Sequence, residues 1–314
     1  MPSAASTIGS PVALGVFLLA LAALLTLDLG VLNRSAHRIA PREAAIWTLV
    51  CVALSLAFDG WIYLAHGAQP ALEFFTGYVV EYALSVDNLF VFLILFGYFA
   101  VPETLQHRVL FWGILGAIVL RATFVLLGAA LIAAFHWVLY IFGAFLLFTG
   151  ARLLWQKDDE LFDPVNNGVT RLFRRFIPLT QSYHGKSFFV RLDGSRYATP
   201  LFMVLVLVEA TDVVFAVDSI PAVFGVTRDP FIVFTSNICA ILGLRSLYFL
   251  LAHLMDRFHF LKIGLGLVLL FIGGKMVVAD LYDMPIAVSL GVIALLLGGS
   301  VLLSWLWPKK ENAG

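Results

Sequence analysis

The amino-acid sequence predicts an all-α, polytopic helical membrane protein of about nine spans, and three observations carry that prediction. Of its 314 residues, 61% are hydrophobic and only 13% are charged, whereas soluble domains run near ~45–50% apolar and ~25% charged. The long apolar runs are apolar on every side, which suits helices in lipid and excludes a β-barrel, whose strands alternate. Lysine and arginine gather in every second connection between those runs, the asymmetry that sets membrane orientation.

At about 20 residues per crossing, the spans fall near 12–32, 44–65, 75–99, 108–133, 137–156, 199–225, 230–256, 260–279 and 285–307. The leading MPSAASTIGSPV has no basic stretch before its first apolar run, so that run reads as an uncleaved first span. One set of connections carries Arg34, Arg38 and Arg42, then Arg108, the 157–198 segment, Arg257 with Lys262, and Lys309 with Lys310. The opposite set carries Glu73, Arg228 with Asp229, Asp280 and Asp283. The expected topology is N-terminus outside and C-terminus cytoplasmic, with residues 1–314 forming one multi-pass domain of the cell's inner (plasma) membrane.

Residues 157–198 are the one sizeable soluble connection in this reading, on the cytoplasmic side. RLFRRFIPL (171–179) mixes Arg171, Arg174 and Arg175 with Leu172, Phe173, Phe176 and Ile177. That pattern predicts a basic amphipathic helix on the anionic inner leaflet. Asp193-Gly194 between two β-prone runs signals a hairpin. The acidic run Asp158, Asp159, Glu160 and Asp163 reads as solvated charge. Cys51 and Cys239 lie inside apolar runs, which argues against a disulfide framework and against a thiolate metal site. With 20 basic and 20 acidic residues the formal charge is zero, so no nucleic-acid partner is indicated.

Against this background, ionisable residues inside the spans stand out. Each costs roughly 2.5–3.5 kcal/mol at mid-helix depth, so such residues mark a task. Six acids fall there: Asp28, Glu81, Asp87, Glu209, Asp212 and Asp218. Three bases join them: Arg121, Arg245 and Lys275, the last near enough to a helix end to snorkel. Ion pairs that serve packing alone would match three acids to three bases and leave three acids over. An uncompensated charge of that size is not tolerable in hydrocarbon. Protonated acids or a resident cation must make up the difference, and either points to ion or proton handling.

The rare charges also repeat. Glu81-Tyr-Ala-Leu-Ser-Val-Asp87-Asn88 aligns with Asp212-Val-Val-Phe-Ala-Val-Asp218-Ser219, and ILGAIVLR ending at Arg121 aligns with ILGLR ending at Arg245. On the expected topology the two copies run in opposite senses, an inverted repeat of spans 3–5 against spans 6–8. Such repeats place a substrate site near the midplane between the copies. At about 100° per residue, Glu81, Ser85 and Asn88 share one stripe, and Asp87 points about 120° away. Asp212 and Ser219 share a stripe in the second copy, with Glu209 close by and Asp218 turned off it. Both acids of a copy face one cavity only if the helix unwinds near the Val-Asp step; otherwise the helix borders two cavities. Pro221 favours unwinding in the second copy.

EYALSVDNLFVF, EATDVVFAVDSIPAVFGVTRDPFIVFTSNICAILGLRSLYF and LDLGVLNR together resemble the TerC family of bacterial and plastid membrane proteins, over nearly the whole chain. The family is named for association with tellurite resistance, includes manganese exporters and is grouped with the LysE superfamily. The resemblance implies Asp87, Asn88, Glu209, Asp212 and Asp218 as ion-site residues, with Glu81 and Asp28 beside them.

Ligand chemistry narrows the ion. Carboxylates, Asn88, Asn237, Ser219 and backbone carbonyls make an all-oxygen set suited to hard cations such as Mn²⁺, Mg²⁺ and Ca²⁺. Zn²⁺ and Cu⁺ would want a sulfur or histidine set, whereas His136 and His253 sit singly near span ends. Tellurite itself would face an excess of carboxylates. The expected function is export of Mn²⁺ from the cytoplasm, coupled to protons, with Arg121 and Arg245 balancing the acids in the empty state. No resident cofactor is expected. The rival reading is a membrane partner that supports metalation of secreted enzymes or membrane-protein assembly. An intramembrane enzyme is not expected, since HExxH, GxSxG and a GxGD-like loop are all missing from the sequence.

Overall fold

The computed structural model describes residues 7–27, 41–135, 137–155, 178–180, 182–192, 195–251, 260–282 and 284–307. Asp28, His136, the acidic run 158–163, the arginine-rich stretch 171–177, the Asp193-Gly194 turn, His253 and Asp283 lie outside the described residues, as do the side chains of Asp87 and Arg245.

Nine helices occur among the described residues: α1 Pro11–Leu27, α2 Pro41–His66, α3 Ala68–Tyr98, α4 Glu103–Ala134, α5 Val138–Trp155, α6 Pro200–Phe224, α7 Pro230–Leu251, α8 Leu261–Val277 and α9 Ile286–Leu306. Seven of these, all but α1 and α8, are long and apolar enough to cross a membrane. The chain is therefore an all-α polytopic membrane protein. Helices α1 and α8 each run for 17 residues, at the lower edge of the ~17–25 that span a bilayer. Leu19, Leu64, Leu295 and Trp305 are exposed large side chains on α1, α2 and α9, as lipid-facing surfaces require.

Helix ends follow local chemistry. Gly67 adopts φ 92° between α2 and α3, a left-handed turn closed by its own N–H on the Tyr63 carbonyl at 3.0 Å. Helix α3 therefore starts at Ala68, earlier than residue 75 as hydropathy suggests, because Gln69 and Glu73 make its first turns polar. Pro200 opens α6 directly after Thr199, the position where a missing N–H costs nothing.

Of the three buried clusters, the two larger form most of the core. One joins α2, α3, α4, α6 and α7 through residues such as Phe74, Leu89, Phe96, Leu207 and Ile238. The other joins α3, α5, α6, α8 and α9 through Val80, Leu146, Ala222, Leu269 and Ile293. The most extensive helix pair is α5 on α8. It is a backbone-to-backbone crossing: a Cβ on Gly150 would stand 2.8 Å from the Gly266 carbonyl oxygen, and one on Gly273 would stand 2.8 Å from that of Gly143. Small residues permit this approach where lipid offers no hydrophobic drive between helices.

At one end of the bundle, strands β1 Phe189–Leu192 and β2 Ser195–Ala198 pair antiparallel. Thr199 Oγ1 donates to the Ser187 carbonyl at 2.8 Å, holding the hairpin on the start of α6. Nearby, the Tyr183 hydroxyl donates to the Phe99 carbonyl at 2.7 Å, and burial pushes its pKa up to about 12. The opposite end is closed by Asp229, which precedes α7. Its carboxylate accepts from Thr7 Oγ1 and the Ile8 N–H at 2.7 Å each and from the Phe231 N–H at 2.9 Å. Asp229→Ala leaves those donors unsatisfied, at about 1–3 kcal/mol. Faster hydrogen exchange at Ile8 and Phe231, with a lower melting temperature, is the expected result; unchanged exchange would show that the tail is held by other contacts.

Candidate functional site

The charged centre of the bundle is assembled around Arg121, near the middle of α4 and fully buried. Its guanidinium reaches three other helices. Nη1 donates to Glu81 Oε1 of α3, to Asn237 Oδ1 of α7 at 2.6 Å and to Ser219 Oγ of α6 at 3.2 Å. Nη2 reaches Asp212 Oδ1 of α6 at 3.5 Å. Ser85 Oγ supports Glu81 from one turn along α3 at 3.2 Å, and Asn237 Nδ2 is tied to the Val233 carbonyl at 3.0 Å. Glu81, Ser85, Asn88, Ser219 and Asn237 are all buried, and Asp212 is 5% exposed.

Satisfaction is incomplete in an informative way. Glu81 Oε2, Asp212 Oδ2 and Arg121 Nε are buried without a hydrogen-bond partner among the described residues. Buried polar atoms are nearly always paired. Two carboxylate oxygens therefore retain lone pairs available beside Arg121. A small, mostly apolar cavity between α3, α4, α6 and α7 is lined by Leu89, Phe92, Leu110, Ala117, Leu244 and Asp212. Its apolar lining belongs to the half of each helix nearer the hairpin end.

The remaining sequence-predicted acids divide between other walls. Glu209, one turn before Asp212 on α6, is half-buried and lies over Gly116 of α4, where a Cβ would come within 2.0 Å of its carboxylate. Asp218 is half-buried on the α5 side, where Thr149 Oγ1 donates to it at 3.3 Å. Lys275 is half-buried in the last turn of α8. Asp87 and Arg245 sit on α3 and α7.

Unwinding at the Val-Asp step does not occur. Both α3 and α6 are unbroken, and Pro221 lies inside α6. Pro221 is three residues from the end of α6, where few helix hydrogen bonds remain to be lost. Ile220, Val223 and Phe224 around it are packed in a buried cluster that holds the turn. Asp212 and Asp218 consequently face different walls, the first towards Arg121 and the second towards Thr149. Among the described residues no three acids, cysteines or histidines converge as a preformed metal cage.

Sequence reading missed Thr149 as the partner of Asp218, Gly116 as the seat of Glu209, and Asp59 in α2, whose Oδ1 is buried without a hydrogen-bond partner among the described residues. The small-residue spacing Gly113, Gly116, Ala117 in α4 was the available signal for the second.

Comparison with known proteins decides the family. Residues 66–312 match the model of the integral membrane protein TerC family. The chain belongs to the TerC family. This TerC protein is 49% identical over 298 residues to a Myxococcus xanthus protein named "Uncharacterized membrane protein STKORF319", covering 95% of this chain and 93% of the relative. It is 51% identical over 297 residues to the Escherichia coli (strain K12) protein named "Putative membrane-bound redox modulator Alx", covering 92% of each. It is 49% identical over 257 residues to the Arabidopsis thaliana "Thylakoid membrane protein TERC, chloroplastic", covering 81% of this chain and 66% of the relative. No solved structure matches this TerC protein.

Proposed function

We propose that this TerC protein is a secondary transporter that exports divalent cations, Mn²⁺ foremost, in exchange for protons. The observation that carries the reading is the tethered cation: Arg121 occupies the all-oxygen centre where, among the described residues, Glu81 and Asp212 each keep one buried oxygen without a hydrogen-bond partner. A hard divalent ion is the substrate that this donor set suits. Glu81 and Asp212 against one guanidinium leave a formal charge of −1 when both are ionised, and Glu209, one turn from Asp212 on a neighbouring wall, brings the local total to −2. One divalent ion or two protons neutralise it, which gives the exchange its stoichiometry. The guanidinium gives way when the ion enters and returns when it leaves, so the empty bundle never carries the bare acids.

Helix packing supports alternating access between two inverted halves. Helix α3 packs on α7 as α6 packs on α4, and α5 packs on α8, its own counterpart in the other half. Glycines seven apart on α5 (Gly143, Gly150) meet glycines seven apart on α8 (Gly266, Gly273) in antiparallel order. The surplus of Lys and Arg in the hairpin-end connections supports a cytoplasmic location for that end. The Escherichia coli relative's name raises redox. Here Cys51 and Cys239 form no disulfide and are buried on α2 and α7, with Cys51 Sγ directed at the Leu242 carbonyl at 3.9 Å. Both act as packing residues, so the carboxylate reading is preferred.

The test is Mn²⁺ efflux from metal-loaded cells or vesicles, comparing wild type with Asp212→Asn, Asp218→Asn and Asp87→Asn at equal membrane levels. Efflux through Asp212→Asn should fall by about tenfold or more, the scale on which even outer-shell ligand changes act. Undiminished efflux in all three would make the carboxylates structural and favour the partner reading, in which the protein supports metalation or assembly of others.

A further inference from the structure

The hairpin carries a feature that ion transport does not use. In its register Arg191 stands directly opposite Arg196, and both are exposed. Like charges in that position repel and weaken the sheet. Neither guanidinium makes a hydrogen bond or ion pair among the described residues. Cross-strand partners share a face, and so do alternate residues along a strand. Arg191 and Arg196 therefore share a face with Phe189, which is half-exposed and packs on Phe202 of α6 with ring centroids 4.4 Å apart and the rings tilted by 48°. Leu192 is also exposed at the hairpin tip.

Depth can be placed from the neighbouring helix. Helix α4 has 32 residues, about 48 Å at helical rise, against a hydrocarbon core of about 30 Å. It therefore protrudes by about 9 Å at each end if centred. Arg108, about 8 Å from the start of α4, therefore falls at the hydrocarbon boundary, and Trp112, about 14 Å from that start, lies one turn deeper. Its ring meets Phe188 edge-on at 6.4 Å, and Arg108 stacks over Phe188 at 5.0 Å. Phe188 immediately precedes β1, so the hairpin lies at headgroup level.

We infer that the face built by Phe189, Arg191 and Arg196 binds the headgroup phosphate of an anionic phospholipid in the adjoining leaflet. The opposed guanidiniums supply the planar donors that phosphate geometry favours, and Phe189 meets the acyl boundary beside them. An anion between the arginines converts their repulsion into attraction, so the hairpin is completed by lipid and secures the start of α6, twelve residues before Asp212.

The test is titration of the purified full-length protein in neutral detergent with phosphatidylglycerol or phosphatidylcholine, followed by native mass spectrometry and melting temperature. Wild type should retain phosphatidylglycerol selectively and melt higher with it. Arg191→Gln/Arg196→Gln should lose about fivefold in affinity per arginine, about 25-fold in all, and Arg191→Lys/Arg196→Lys, which keeps the charge but not the planar fork, should fall between that variant and wild type. Equal response of wild type to the two lipids would overturn the inference without recourse to any variant. An unchanged affinity in the glutamine variant would also overturn it, as would displacement of the lipid by millimolar inorganic phosphate, which would mark a free-anion site.

Discussion

Arg121→Met is expected to lower the stability of the bundle by about 3–5 kcal/mol, because it strands the fully buried Glu81 carboxylate without its counter-charge. Membrane-protein yield and melting temperature in detergent should both drop. Adding Glu81→Gln to the same chain should recover most of that loss. Removing both members of a buried pair is often neutral, whereas removing one is not. The double variant should nonetheless transport no Mn²⁺, since it lacks both the acid and the tethered cation. A double variant as unstable as Arg121→Met alone would mean that Arg121 is held by Asn237, Ser219 and Asp212, and that Glu81 contributes little.

The second large effect is expected at the α5–α8 crossing. Gly150→Val and Gly273→Val each place a branched side chain where a bare Cβ already stands 2.8 Å from an opposing backbone carbonyl. Backbone cannot step aside as a side-chain end can, so the helices must separate. Overpacking of this kind costs about 1–3 kcal/mol and at times more. Gly298→Val on α9, where a Cβ meets nothing within 4 Å, is the matched control, with an expected change within about 0.5 kcal/mol. A melting temperature shifted equally by all three variants would show that glycine matters here for helix propensity and not for close approach.

Much of the charged centre was legible because hydrocarbon penalises charge so heavily that each intramembrane acid or base announces itself. Glu81, Ser85, Asp212, Ser219, Asn237 and Arg121 are brought together in one cluster. Helical periodicity also turned Asp218 away from Asp212 correctly. What failed was the step from a proline to a helix break, since a proline's effect depends on its distance from the helix end and on the packing around it. Tertiary seats were not readable at all. Glu209 over Gly116, and Asp218 beside Thr149, depend on which faces of α4, α5 and α6 meet. Polar first turns, as in α3, hide from hydropathy because they lie beyond the lipid.

Arg121 has one more consequence, which concerns acidity. A guanidinium keeps its proton at every pH a cell meets, so all titration at this centre belongs to the carboxylates. Its formal charge can run only from −1, with Glu81 and Asp212 ionised, to +1, with both neutral. Acid therefore does more than compete for ligand oxygens: it reverses the sign of the field that an arriving cation meets. On the proposed exchange, the centre attracts metal from an alkaline compartment and repels it into an acidic one, and this bias is built into a single side chain.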